Sequence, residues 1–232
     1  MYSKVGILAG MGPRSTAPFI DLVVGECAAQ YGAKYDMDFP AMLIYSLPTP
    51  FYPDRPIDHT SLHSAILKGL KELESFGVDF IVMPCNIAHL YYEALQSDIH
   101  VPLLNIVDET VTRIPAGYRS AALFAARGTV ESGLYQQGII QSGRTTGERP
   151  EWQDAIDRLI LAVKQTGCTD SNRKAMAELI SDALHCADCV IIGCTDLTPL
   201  VSQSEEIKVL DSARCLASAT VARYVEMRKT KS

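Results

Sequence analysis

Short, unbroken apolar runs punctuate this chain, each followed by a turn residue and then by an amphipathic helical stretch. Val5-Gly6-Ile7-Leu8-Ala9 is the first run and Ala41-Met42-Leu43-Ile44-Tyr45 the second. Val78 to Met83 is the third and Pro102-Leu103-Leu104-Asn105-Ile106 the fourth, with helical periodicity between them at Ser15 to Ala29, Asp58 to Ser75 and Ile87 to Gln96. A strand with one wet face alternates apolar and polar residues, whereas a strand covered on both faces is apolar throughout. The alternation of such strands with helices predicts an α/β protein whose parallel sheets are flanked by helices.

After about Asp108 the pattern restarts. Ala121 to Ala125 reads as a strand, Val130 to Gln141 as a helix, and Ser142 to Pro150 as a polar turn region in which no strand can be placed. Helices follow at Glu151 to Gln165 and Asn172 to His185, then strands at Cys189 to Gly193 and Ile207 to Leu210, and a last helix at Ser212 to Met227. The halves can be laid over one another: strand-Cys85-Asn86 followed by Val101 to Asn105 matches strand-Cys194-Thr195 followed by Ile207 to Asp211. The expectation is two similar lobes, 1–107 and 108–211, with the helix over 212–229 packing back on the first.

Charge and cysteine usage narrow the setting. A net charge of −6, with only the short tail Arg228-Lys229-Thr230-Lys231 as a basic run, argues against a nucleic-acid partner. No apolar run has the length of a membrane span, and neither a signal peptide nor an anchor is visible, so no membrane partner is expected. Seven cysteines in a chain of 232 residues, several inside apolar runs, read as free thiols in a reducing cytoplasm.

Cys85 and Cys194 stand out because each ends an apolar run in a matching place in its half. Ligands of parallel α/β sheets bind outside the carboxyl ends of the strands. A thiol there, at the start of a following helix, is drawn below its usual pKa of about 8.5. Packing alone explains many free cysteines, and Cys27, Cys189 and Cys215, which lie inside helices or a strand, are read as core. Two thiols on opposite walls of a cleft between lobes could take a proton from a carbon and return one.

Other residues carry chemistry less specifically. The turn Gly10-Met11-Gly12-Pro13 precedes a helix that Ser15 or Thr16 could cap, so its backbone N–H groups, with Met11, Gly12 and Thr16, could receive a carboxylate or phosphate. It lacks the further residues of a dinucleotide or Walker loop. Pro53-Asp54-Arg55-Pro56 is a loop stiffened by two prolines, which suits Arg55 to bidentate carboxylate capture. Lys164, near a helix end, is a second candidate anchor. His89 is four residues after Cys85, where it either faces the thiol and aids its ionisation or packs in the helix. Cys186-Ala-Asp-Cys189 beside His185 lacks the further ligands of a zinc site, so no metal is expected.

With these residues in view, the chain resembles the aspartate/glutamate racemase family, enzymes independent of pyridoxal phosphate, and within it the aspartate racemase branch. The resemblance runs nearly end to end: Gly10-Met11-Gly12-Pro13 with Thr16, Pro53-Asp54-Arg55, Pro84-Cys85-Asn86 with His89, Gly128-Thr129 with Ser132-Gly133-Leu134-Tyr135, Lys164, and Gly193-Cys194-Thr195-Asp196-Leu197. It implies two pseudo-symmetric flavodoxin-like lobes, an active site in the cleft between them, a homodimer and no cofactor. It also implies that Cys85 and Cys194 exchange the α-proton of a small dicarboxylic amino acid, aspartate first. Arg55 and Lys164 would hold its side-chain carboxylate, and Asn86, Thr129 and Thr195 its α-amino and α-carboxylate groups. Two positions depart from the family pattern. Ile87 stands where a Thr usually follows Cys-Asn, a loss of about 1–3 kcal/mol if its polar partner stays unpaired, and Arg127 adds a cation before Gly128. Other readings are a hydantoin racemase, a maleate isomerase in which one cysteine is a nucleophile, and a ligand-binding protein that has lost turnover.

Overall fold

The computed structural model describes residues 3–52, 55–201 and 208–231. In chain order its first elements are strand β1 (Lys4–Ala9), helix α1 (Thr16–Tyr31), β2 (Ala41–Ser46), α2 (His59–Ser75), β3 (Phe80–Val82), α3 (Tyr92–Ser97) and β4 (Leu103–Leu104). Then come α4 (Ile106–Val111), β5 (Ser120–Ala125), α5 (Arg127–Glu131), α6 (Leu134–Gln141), β6 (Thr145–Gly147), α7 (Pro150–Thr166), α8 (Asp170–Ala183), β7 (Cys189–Gly193), β8 (Val209–Asp211) and α9 (Ser212–Lys231). Two parallel four-stranded sheets result, ordered β2-β1-β3-β4 and β6-β5-β7-β8. Each places its first strand second and crosses over to its third, so the repeat visible in the sequence is a repeat of topology.

Three of the apolar runs form strands covered on both faces, β1 from Val5 onward, β5 from Ala121 onward and β7 throughout, whereas β2, expected to be covered likewise, is an edge strand with Ile44 43% exposed. In the first sheet Leu8, Ile81 and Met83 pack with Leu62, Ile66 and Leu70 of α2. In the second, Phe124 and Ile192 pack with Trp152 and Ile156 of α7 and Met176 of α8. Cys27, Cys189 and Cys215 are buried, as expected, and burial pushes the Cys189 thiol up to about 11 and that of Cys215 to about 12.

Three local expectations are corrected. Ile106 does not end a strand but opens α4, because Ile106, Val107, Thr110 and Val111 bury one helical face and the Thr110 hydroxyl donates to the Ile106 carbonyl at 2.6 Å. The helix expected over Val130 to Gln141 is broken at Gly133, whose φ of 72° is left-handed, into α5 and α6. The polar Thr145–Gly147 segment is an edge strand paired with Ser120 to Ala122. The expected strand start at Ile207 lies outside the described residues.

The chain divides into two compact units, Met1–Asn105 with Leu216–Ser232, and Ile106–Cys215. Helix α9 therefore starts in one unit and continues in the other. In the first unit Gln30 at the end of α1 donates to the Ser218 carbonyl at 2.9 Å, and the Arg228 guanidinium lies over the Tyr31 and Tyr224 rings at 5.9 and 5.7 Å. Among the described residues no helix is long and apolar enough to cross a membrane.

Candidate active site

In the first unit the expected site residues gather where strands end. After β1 the backbone turns at Gly10, whose φ is +92° and where a Cβ would stand 2.5 Å from the Leu47 carbonyl oxygen. Only glycine fits that approach. The Gly10 N–H donates to the Thr16 hydroxyl at 3.2 Å, and the Ser15 hydroxyl to the Gly12 carbonyl at 2.8 Å, so both hydroxyls brace the turn. Met11 packs on the edge of the core. After β2, the Arg55 guanidinium is 4.4 Å from the centre of the Tyr52 ring, which holds it by cation–π attraction. Of the two prolines expected to stiffen this loop, Pro53 lies outside the described residues, with Asp54.

Beyond β3 comes the first thiol. Cys85 and Asn86 are buried, and the Cys85 N–H donates to the Met83 carbonyl at 2.8 Å. The next element is a five-residue 3-10 turn, Ile87–Tyr91, before α3 begins. A long helix does not start at Cys85, so the dipole expected there is reduced to a turn's few N–H groups. Ile87 packs into the first core.

His89 is buried, with Nδ1 2.8 Å from the Cys85 carbonyl oxygen, Nε2 3.3 Å from the Leu104 carbonyl oxygen, and its ring stacked on Tyr92. Its nitrogens address the backbone of the cysteine residue and the end of β4. Burial holds its pKa below the ordinary histidine range. Farther along the turn, Tyr91 lies between two histidines of α2: His59 Nδ1 is 2.8 Å from its hydroxyl, and the His63 ring is edge-on at 5.5 Å.

The second unit repeats the arrangement with other side chains. After β5, Thr129 is buried, its N–H donates to the Ala126 carbonyl at 2.8 Å, and its hydroxyl oxygen has no hydrogen-bond partner among the described residues. Arg127, expected as an added cation, is answered by Asp154 at 2.9 Å and Asp157 at 2.7 Å, both on α7. After β7 come Cys194, half-buried, and the buried Thr195 and Asp196. Lys164, at the end of α7, places Nζ 2.7 Å from Asp196 Oδ2, with the two side chains 25% and 6% exposed. The Leu197 N–H donates to the Cys194 carbonyl at 3.0 Å and opens a three-residue turn, Thr198–Leu200. The Thr198 hydroxyl donates to Asp211 Oδ1 at 3.0 Å, and the Ala213 N–H to the same oxygen at 2.8 Å. Burial pushes the Asp211 carboxyl up to about 6.

Thus Met11, Gly12, Thr16, Cys85, Asn86 and His89 follow the carboxyl ends of β1 and β3, with Arg55 exposed in the longer segment after β2, while Thr129, Cys194, Thr195 and, through Asp196, Lys164 follow those of β5 and β7. Sequence reasoning missed Asp196, Thr198 and Asp211. Asp196 stood two residues after Cys194, and Asp211 stood at the strand end matched with Asn105, so both were visible by position though not by partner. Of the Cys186-x-x-Cys189 pair, one thiol is exposed and the other in the core, so they do not converge. Among the described residues no three His, Cys, Asp or Glu side chains are grouped to hold a metal.

Residues 8–220 match the family model described as Asp/Glu/hydantoin racemase, a span that takes in both cysteine turns. The chain is 44% identical over 222 residues to the broad specificity amino-acid racemase RacX of Bacillus subtilis (strain 168), covering 95% of this chain and 98% of that one. The chain belongs to the Asp/Glu/hydantoin racemase family. Another relative is the glutamate racemase of Aquifex pyrophilus, 25% identical over 62% of this chain and 58% of that one. Among solved racemase-family structures, the aspartate racemase of Picrophilus torridus superposes with a TM-score of 0.81 at 27% identity, covering 96% of this chain and 94% of that one. The two-sheet α/β architecture is accordingly the racemase fold.

Proposed function

We propose that the protein interconverts the L and D forms of an amino acid by proton transfer between Cys85 and Cys194, without pyridoxal phosphate or a metal. The observation that carries this reading is the matched pair of strand-end thiols, each beside a buried polar residue, Asn86 or Thr195. In the forward direction one cysteine, as thiolate, takes the α-proton. The electron pair of the broken C–H bond stays on carbon as a carbanion, and the other cysteine, as thiol, protonates the opposite face. The enzyme is left with its protons exchanged, ready for the reverse substrate. Asn86, Thr195 and Thr129 would offset the carbanion's charge, and a buried hydroxyl lacking a partner, as at Thr129, suits a group awaiting substrate.

Aspartate is the first substrate to test, with Arg55 and Lys164 as anchors for its side-chain carboxylate. Two observations favour a wider range. Lys164 already faces Asp196 at 2.7 Å, so part of its charge is spent within the protein, and apolar Ile87 follows Cys85-Asn86. The name of the 44% identical relative, a broad specificity racemase, supports the same widening.

The experiment is incubation in D2O with a panel of L- and D-amino acids, following α-proton exchange and optical rotation. Exchange with racemisation, lost in both Cys85→Ser and Cys194→Ser, supports the proposal. Absence of exchange with every amino acid overturns it, and conversion of maleate to fumarate would assign an isomerase instead.

A further inference from the structure

The residue four positions beyond each cysteine is His89 in one unit and Thr198 in the other. Both are buried, and both tie the turn that follows the thiol to the carboxyl end of the neighbouring edge strand. In the first unit the imidazole lies between the Cys85 carbonyl, 2.8 Å from Nδ1, and the Leu104 carbonyl at the end of β4, 3.3 Å from Nε2; as a neutral ring it donates to one of them and packs against the other. In the second the Thr198 hydroxyl reaches Asp211 at the end of β8, and Asp211 also receives the Ala213 N–H from the first turn of α9. Strands β4 and β8 occupy the same fourth place in their sheets. One mechanical connection is therefore made twice, at one position, with unrelated chemistry.

Each connection between turn and strand is made by a single side chain of the turn. Among the described residues His89 has no hydrogen-bonding partners beyond the two carbonyls. Asp211 Oδ2 is buried with no partner among the described residues, and the carboxyl is held by the Thr198 hydroxyl and by the Ala213 and Arg214 N–H groups of the first turn of α9, of which only Thr198 belongs to the turn after the thiol. A buried polar group that loses its partner keeps the full cost of desolvation, so the turn would open or shift. Reacting groups must be held within a fraction of an ångström of productive geometry, by supports that are themselves locked.

We infer that His89, and Thr198 with Asp211, are positioning residues, each aiming its own unit's cysteine independently of the other. The inference rests on the two-base reading for its catalytic consequence, but the clasps themselves can be tested without it. Racemisation has an equilibrium constant of one, so kcat/KM must be equal in the two directions, and a one-sided fault cannot appear there. It appears in the deuterium isotope effect. Misplacing one cysteine slows the step in which that cysteine is the base, raising the effect of α-deuteration in that direction alone.

The test uses His89→Ala and Thr198→Val, with His89→Gln, whose amide NH2 has two donors for the two carbonyls, and Thr198→Ser, which keeps the hydroxyl, as conservative partners. Alkylation of each cysteine by iodoacetamide is followed by peptide mass mapping. His89→Ala should speed alkylation of Cys85 about tenfold by raising local opening, and leave Cys194 unchanged. Thr198→Val should do the reverse, and the conservative variants should stay within about twofold of the native protein. The isotope effect should rise in opposite directions for the two alanine and valine variants. Equal changes at both cysteines, or none at either, would overturn the clasps. One-sided alkylation with isotope effects that rise equally in both directions would overturn their catalytic role. If the native protein exchanges no amino acid at all, the racemase reading fails while alkylation still decides the clasps.

Discussion

The two sheets have the same strand order and end a strand beside a thiol in the same place, yet the first thiol's turn is held by an imidazole and the second's by a carboxyl and a hydroxyl. The repeat thus preserves the backbone path and the position of the sulfur, and leaves open how the turn is braced. The two solutions have opposite responses to acid, since one buries a base and the other an acid.

The strongest challenge to the likeness of the two sides is to remove each thiol. Cys85→Ala and Cys194→Ala should each lower racemisation by about 10³-fold, a magnitude typical of losing a positioned acid or base. Polarimetry with either enantiomer should show equal losses; a variant that keeps substantial turnover would show that the two sides are not partners. Next in size is a packing change confined to one side. Phe124→Ala should cost about 3–5 kcal/mol, read in urea unfolding, and hydrogen exchange should accelerate in β5 and β7 while β1 and β3 hold.

The opposite acid responses give a third comparison. Asp211 has its carboxyl raised from 3.8 to about 6, so between those values the folded protein holds a proton that the unfolded chain has released. Its contribution to stability is present below about pH 4 and falls away as pH rises through 6, by about 3 kcal/mol. His89 has its pKa lowered by burial from 6.5, so its contribution is present above that value and is lost as pH falls through the folded pKa. Urea midpoints from pH 4 to 8 should lose the first trend in Asp211→Asn and the second in His89→Gln. The smallest effect is at the surface: Arg127→Ala removes exposed ion pairs to Asp154 and Asp157. It should leave the unfolding midpoint unchanged within error.

Strands β1, β5 and β7 could be read from the sequence because double burial demands apolar residues at every position. Strand β6 could not, since an edge strand of Thr-Thr-Gly has no such demand, and α4 hid inside an apolar run whose helical spacing only becomes evident once Thr110 is seen buried. Cys85 and Cys194 were legible from their matched strand ends. The bracing was not. Periodicity brings His89 near Cys85 but cannot say that the ring meets a carbonyl oxygen, because backbone acceptors leave no mark in a sequence. Lys164 with Asp196 and Thr198 with Asp211 are pairs made by folding across intervening elements, and each member alone resembles an ordinary charged or capping residue.

The sharing of α9 has a consequence for how the chain is made. The second unit, Ile106–Cys215, is one uninterrupted stretch and is complete when it leaves the ribosome. The first unit has all four of its strands long before that, but the helical segment that pairs Ser218 with Gln30 arrives last. Domains tend to fold as they emerge, so the half translated first must wait, with one side of α1 uncovered, for the half translated second to finish.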